Sequence, residues 1–137
     1  MQYRATIEKE GYAYNVSFPD CPGCLTFGKS EEKALDAAHE ALQGWLEACL
    51  VSGINPPIPR AKRGRQVTVN PHLSAVVLIR QRRAELGLSQ AQVAKRAGVS
   101  QQQIARLESP DGNPTLAMLA KVARALGCRV ELNLTAA

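Results

Sequence analysis

Apolar and polar residues alternate at the start of the chain, with Tyr3, Ala5 and Ile7 set against Arg4, Thr6 and Glu8. The alternation returns with Tyr12, Tyr14, Val16 and Phe18 set against Asn15 and Ser17. A period of two puts one set of side chains on a buried face, so the pattern predicts two half-buried strands. Lys9-Glu10-Gly11 between them suits the short connection of an antiparallel hairpin. Pro19-Asp20-Cys21-Pro22-Gly23 interrupts the alternation with turn formers, and a third short strand is expected around Leu25 to Phe27. The period then lengthens. Leu35, Ala38, Leu42, Trp45, Leu46, Cys49 and Leu50 recur at spacings of three and four, as on one face of a long helix. Ser30 can cap that helix, Glu31 and Glu32 sit at the positive end of its dipole, and Gly53 follows its last turn. The amino-terminal part is therefore expected to be a β-β-β-α unit.

Asn55-Pro56-Pro57-Ile58-Pro59 cannot continue a helix, and the charged stretch Arg60 to Arg65 follows it, so a linker is expected over about 55–66. Gln66-Val67-Thr68-Val69 fits a fourth strand returning to the first sheet, which places the division into domains at 1–70 and 71–137. From Pro71 to Leu86 a helical pattern (Val76, Ile79, Arg83, Leu86) ends at Gly87. Two short helices then begin with the same grammar. Ser89 and Gln92 have capping-box spacing inside the hydrophobic staple Leu88 and Val93, and Ser100 and Gln103 repeat it inside Val99 and Ile104. The two helices meet at Ala97-Gly98-Val99, the sequence form of a helix-turn-helix, whose second helix enters the major groove. Gln103 is engaged in the cap. Gln101 and Gln102 stay free to pair with an adenine edge, and Arg106 one turn on can reach a guanine or a phosphate. After Gly127, Val130-Glu131-Leu132-Asn133-Leu134 alternates again and predicts a short strand. A lone strand on a helical domain has unpaired edges, and pairing with its copy would make a two-fold homodimer. The fold class expected is α+β.

Charge divides the chain. Residues 1–55 hold eight acidic side chains against four basic ones, residues 56–137 hold thirteen basic against four acidic, and the whole chain of 137 residues carries +5. A basic surface attracts phosphate and an acidic one repels it, so the carboxyl half is expected to face nucleic acid and the acidic half something else. No apolar run approaches the roughly 18 residues of a membrane span, and Met1-Gln2-Tyr3-Arg4-Ala5 has no signal-peptide core, so a cytoplasmic protein with no membrane partner is expected. Cysteines 21, 24, 49 and 128 are then expected to be free thiols. Cys21 and Cys24 have the spacing of a zinc or redox pair, but no second pair completes a metal site. They are read as ordinary loop thiols, with no metal and no cofactor. Asp20 stands alone, His39 lies among alanines, and the inward strand positions carry Tyr, Ile, Val and Phe, so no enzyme is expected.

Two resemblances add to this reading. Leu86-Gly87-Leu88-Ser89-Gln90 through Ala94, Gly98-Val99-Ser100, Ile104, Leu107-Glu108 and Pro114-Thr115-Leu116 to Ala125-Leu126-Gly127 resemble the phage-repressor type helix-turn-helix of the XRE family. That resemblance implies DNA contacts from Gln90, Ser100, Gln101, Gln102 and Arg106, and a structural ion pair between Arg83 and Glu108. Phe18-Pro19-Asp20-Cys21-Pro22-Gly23-Cys24-Leu25-Thr26-Phe27-Gly28, then Ser30-Glu31-Glu32-Lys33-Ala34, resembles the HicB antitoxin family over residues 3 to about 59. It implies a partial ribonuclease-H-like fold without nuclease activity, which neutralises a small basic RNA-cleaving HicA toxin while the helix-turn-helix represses the shared operon. The toxin-contacting residues, somewhere within 1–59, and the choice between a dimer and a tetramer stay open. The alternative is a one-component transcription regulator whose amino domain senses a small ligand.

Overall fold

The alternating stretches pair as an antiparallel hairpin in the computed structural model, which describes all of residues 1–137. The elements are β1 (Gln2–Glu10), β2 (Ala13–Ser17), β3 (Leu25–Gly28), α1 (Glu31–Val51), β4 (Arg65–Thr68), α2 (Pro71–Glu85), α3 (Gln90–Ala97), α4 (Gln101–Leu107) and α5 (Leu116–Ala125). The strands form one antiparallel sheet in the order β3-β2-β1-β4, so the chain is α+β, and β4 returns beside β1 with Tyr3 opposite Val67. The hairpin register pairs Glu10 with Ala13, which leaves Gly11 and Tyr12 as a two-residue turn. Tyr12 was expected on the inward face of the second strand. It is instead 97% exposed at the turn, because the strand begins one residue after it.

α1 lies on one face of the sheet. Ser30 caps it by accepting from the Lys33 amide, Ala34, Ala38, Leu42, Leu46 and Leu50 share a buried core with Tyr3, Ala5, Val16 and Phe18, and Cys49 is buried beside them on the helix. The buried stripe is rotated from the expected one, with Ala34 inside and Leu35 and Trp45 only half-buried. Gly28 explains the rotation, since a Cβ there would lie 2.3 Å from the Ala34 nitrogen. The helix start thus presses directly on the backbone of β3. Gln43 is the polar member of the stripe. Its amide accepts from the Asn70 N–H at 3.0 Å and donates to the His39 carbonyl at 3.2 Å, tying α1 to the start of α2.

The prolines expected as a linker are held down. The Tyr3 hydroxyl donates to the Pro57 carbonyl at 2.6 Å, and the buried Gln81 amide donates to the carbonyls of Pro56 and Pro57 at 3.1 and 2.9 Å. One carboxylate oxygen of Asp20 accepts from the amides of Arg60 and Ala61 at 3.0 and 2.9 Å. Residues 56–61 therefore form a strap across the edge of the first domain. α2 belongs to two cores. Leu73, Val76 and Val77 join the 16-residue cluster under the sheet, while Ile79 joins a second cluster with Val93, Ala94, Ile104, Leu107, Val122 and Leu126. Residues 128–137 form no strand in the single chain, and Val130, Leu132 and Leu134 are exposed.

Candidate nucleic-acid interface

Both capping boxes predicted from spacing are formed. The Ser89 hydroxyl accepts from the Gln92 N–H at 3.1 Å while the Gln92 side chain accepts from the Ser89 N–H at 2.8 Å. Ser100 and Gln103 repeat the exchange at 3.1 and 2.9 Å. Between them Gly98 takes φ +69°, a left-handed value that suits glycine, and the Val99 N–H closes the end of α3 on the Ala94 carbonyl at 3.0 Å. Leu88 and Val99 pack on the cluster that holds Val93 and Ile104, so both staples are in place. A short helix of this kind is marginal alone. The caps and the second core fix α4 on α3.

Ile104 and Leu107 face that core. At 3.6 residues per turn the opposite side of α4 carries Gln102, Ala105 and Arg106, all exposed, with Gln101 on one flank and Gln103 on the other. Gln90 is the first residue of α3 and is half-buried. Gln101, Gln102 and Arg106 therefore share one exposed surface with the Ser100 cap. Ala105 was not singled out from the sequence, although its position one turn after Gln101 and Gln102 would have placed it on this face. A methyl there can meet a thymine methyl.

Arg83 and Glu108 form a buried bidentate pair. The Arg83 Nε donates to both carboxylate oxygens at 3.0 and 2.8 Å and its Nη2 to Oε1 at 2.7 Å, while Nη1 donates to the Leu88 carbonyl at 2.9 Å. One guanidinium thus locks α2 to the end of α4 and to the entry of α3.

In the first domain Cys21 and Cys24 lie in the loop between β2 and β3, as expected, and Cys49 lies on α1. Cys21, Cys24 and Cys49 are all buried. The Cys24 N–H closes the Pro22-Gly23 turn on the Cys21 carbonyl at 3.0 Å. Burial, with Cys24 and Asp20 adding negative charge nearby, pushes Cys21 up to about 12, and burial pushes Cys24 up to about 11 and raises Cys49 as well. These thiols are held away from the thiolate form that nucleophilic or metal chemistry uses. The Tyr3 hydroxyl is raised too, by burial first and by the neighbouring Cys21.

The structure also redraws the charge boundary. Arg60, Lys62, Arg63 and Arg65 precede β4 or lie on it and belong to the first domain, so residues 1–70 hold eight basic and eight acidic side chains. Residues 71–137 hold nine basic and four acidic. The first domain is polarised rather than uniformly acidic. Glu31, Glu32, Asp36, Glu40 and Glu47 are exposed along α1, and four of the eight cations, Arg60, Lys62, Arg63 and Arg65, precede or lie on the edge strand β4.

The family model described as HicB_like antitoxin of bacterial toxin-antitoxin system matches residues 3–93, well over half of the chain. The chain belongs to this HicB-like antitoxin family. A helix-turn-helix family model matches residues 79–133, so a helix-turn-helix DNA-binding domain follows the antitoxin domain. The HicB-like match runs through α2 into α3, as expected if α2 serves both cores. Antitoxin HicB 1 of Photorhabdus laumondii is 32% identical over 136 residues, 98% of this chain and 87% of that protein. Antitoxin HicB 2 of the same organism is 30% identical over 132 residues, 96% of this chain and 95% of that protein. An uncharacterized HTH-type transcriptional regulator of Methanothermobacter thermautotrophicus is 48% identical over 50 residues, 36% of this chain and 72% of that protein. No helix is long and apolar enough to cross a membrane.

Proposed function

We propose that this HicB-like chain is the antitoxin of a type II pair, which neutralises a small basic RNA-cleaving HicA-like toxin and represses its own operon in the cytoplasm. The observation that carries the proposal is α2, which joins an antitoxin-type sheet domain and a complete helix-turn-helix as one body. Residues 1–70 act as the toxin-binding unit, with a partial ribonuclease-H-like fold that binds rather than cuts. The exposed carboxylates of α1 offer a basic toxin charge complementarity, which steers encounter and disfavours acidic partners.

Residues 71–137 act on double-stranded operator DNA. Gln101 and Gln102 read base edges, Arg106 reaches a guanine or a phosphate, and Gln90 and Ser100 contact the backbone at the two helix starts. The exposed alternation Val130-Glu131-Leu132-Asn133-Leu134 pairs with its copy to make the homodimer, on which a tetramer can be built. Two recognition helices then meet half-sites roughly 34 to 36 Å apart.

Co-expression with the adjacent small basic reading frame tests the toxin arm: growth is restored only when this chain is present, and the two co-purify. A harmless neighbour that never co-purifies sinks this arm. Deleting residues 128–137 tests the dimer, leaving a monomer with weak operator binding. A truncated chain that stays a tight dimer places the interface elsewhere.

A further inference from the structure

The cationic stretch before β4 was expected to be a linker, and the roles proposed above for α1 and the helix-turn-helix leave it without one. In the fold it borders a recess of about 430 Å³ on the β1–β4 side of the sheet. Lys9, Arg63 and Arg65 line the recess with Tyr14, against a single carboxylate, Glu31. Glu31 pairs with Arg65, which leaves the Lys9 and Arg63 charges without a carboxylate partner. The Lys9 ammonium stands 5.7 Å from the centre of the Tyr14 ring. Of the two other acidic groups on β1, Glu10 accepts from the Asn15 amide at 3.0 Å and Glu8 lines a different recess with Asn15 and Phe27. Tyr12 projects from the turn at the end of the same hairpin, fully in solvent and without a structural role.

Cations that track a backbone, beside aromatic rings open to stacking, are the combination that holds single-stranded nucleic acid. In a duplex the bases are already stacked, so the exposed tyrosine adds nothing to binding there. We propose that this recess and the hairpin end form a binding site for a single-stranded polynucleotide, with Lys9 and Arg63 on phosphates and Tyr12 stacked on a base. The site is separate from the helix-turn-helix and gives the antitoxin domain a ligand of its own.

The test uses the full chain and fluorescently labelled single-stranded RNA and DNA oligonucleotides of mixed, unstructured sequence, with affinity measured across a salt series. Lys9→Gln with Arg63→Gln removes two exposed charges. The slope of log affinity against log salt is expected to fall by about 1.4, since each single-strand phosphate contact contributes about 0.7. Tyr12→Ala is expected to weaken binding about tenfold at constant salt. Lys121→Gln with Arg124→Gln on α5 makes the same charge change elsewhere and leaves single-strand binding in place. Preference for one sugar identifies the strand as RNA or DNA, and either preference supports the site. Absence of single-strand binding, equal losses in the two charge pairs, or an equal loss on operator duplex overturns the proposal.

Discussion

Replacing Arg83 with Met keeps most of the side-chain volume and removes the only cation within reach of Glu108. The Glu108 side chain is 1% exposed and that of Arg83 18%, so the orphaned carboxylate has no water to turn to, whereas an orphaned guanidinium would have some. Breaking a buried pair from one side costs about 3 to 5 kcal/mol. The lost bond from Nη1 to the Leu88 carbonyl adds about 1 kcal/mol. For a domain of 60 to 100 residues each kcal/mol lowers the melting temperature by roughly 4 to 8 °C, so a fall of roughly 16 °C or more is expected in Arg83→Met. Glu108→Leu should cost less, because Arg83 can extend its head to solvent. The double variant Arg83→Met with Glu108→Leu should return to within about 2 kcal/mol of the parent, since an apolar pair of similar volume replaces a buried ion pair without leaving a charge behind. Urea unfolding followed by circular dichroism, analysed as a double-mutant cycle, gives the coupling. A loss below about 1 kcal/mol in Arg83→Met, or a double variant as unstable as its worse parent, would refute the reasoning.

Gln101→Ala or Gln102→Ala should each cost roughly 1 to 3 kcal/mol on the operator and little on unrelated duplex, measured by fluorescence anisotropy; equal losses on both mean that these are not the reading residues. Ser100→Ala should destabilise the fold by about 1 kcal/mol through loss of the cap, seen in the urea midpoint. Gly28→Ala drives a Cβ to 2.3 Å from the Ala34 nitrogen, so it should lower the melting temperature strongly, and a fold unchanged by it would mean that α1 can shift on β3. Above pH about 9 an unfolded chain loses thiol protons that the folded chain keeps up to about 11 at Cys24 and about 12 at Cys21, so stability is full below that range and falls as pH rises through it. A urea midpoint that stays flat from pH about 9 to about 11 contradicts the burial of these thiols.

What the sequence discloses is what is decided locally. The strands of the first hairpin, both capping boxes and both staples rest on residues a few positions apart, and apart from Tyr12 each lies where its spacing put it. The exposed places of Gln101, Gln102 and Arg106 on α4 follow from the same arithmetic. The missing parts are decided by distant partners. Gln43 and Gln81 look like surface amides, yet both are buried, with partners up to 27 residues away. Pro56 and Pro57 look like a spacer because proline breaks helices, but their carbonyls are acceptors that Tyr3 and Gln81 fill. Tyr12 fits the alternation by identity, and only the register, set by a two-residue turn, puts it outside.

The same long-range bonds change what the charge of the chain implies. A division at the prolines produces an acidic domain and a strongly basic one, and suggests two modules joined by a flexible cationic tether. Asp20, Tyr3 and Gln81 hold the strap in place, so Arg60, Lys62, Arg63 and Arg65 stand as a fixed cationic edge, joined to α1 by the pair of Arg65 with Glu31. The two domains are also coupled through α2, which enters the first core with Leu73, Val76 and Val77 and the second with Ile79. A helix packed on both sides cannot pivot without uncovering apolar surface, at roughly 1.5 to 3 kcal/mol for each large side chain exposed. A load on the α1 side of the first domain is therefore carried by a stiff element to the helix-turn-helix, and not lost in a tether.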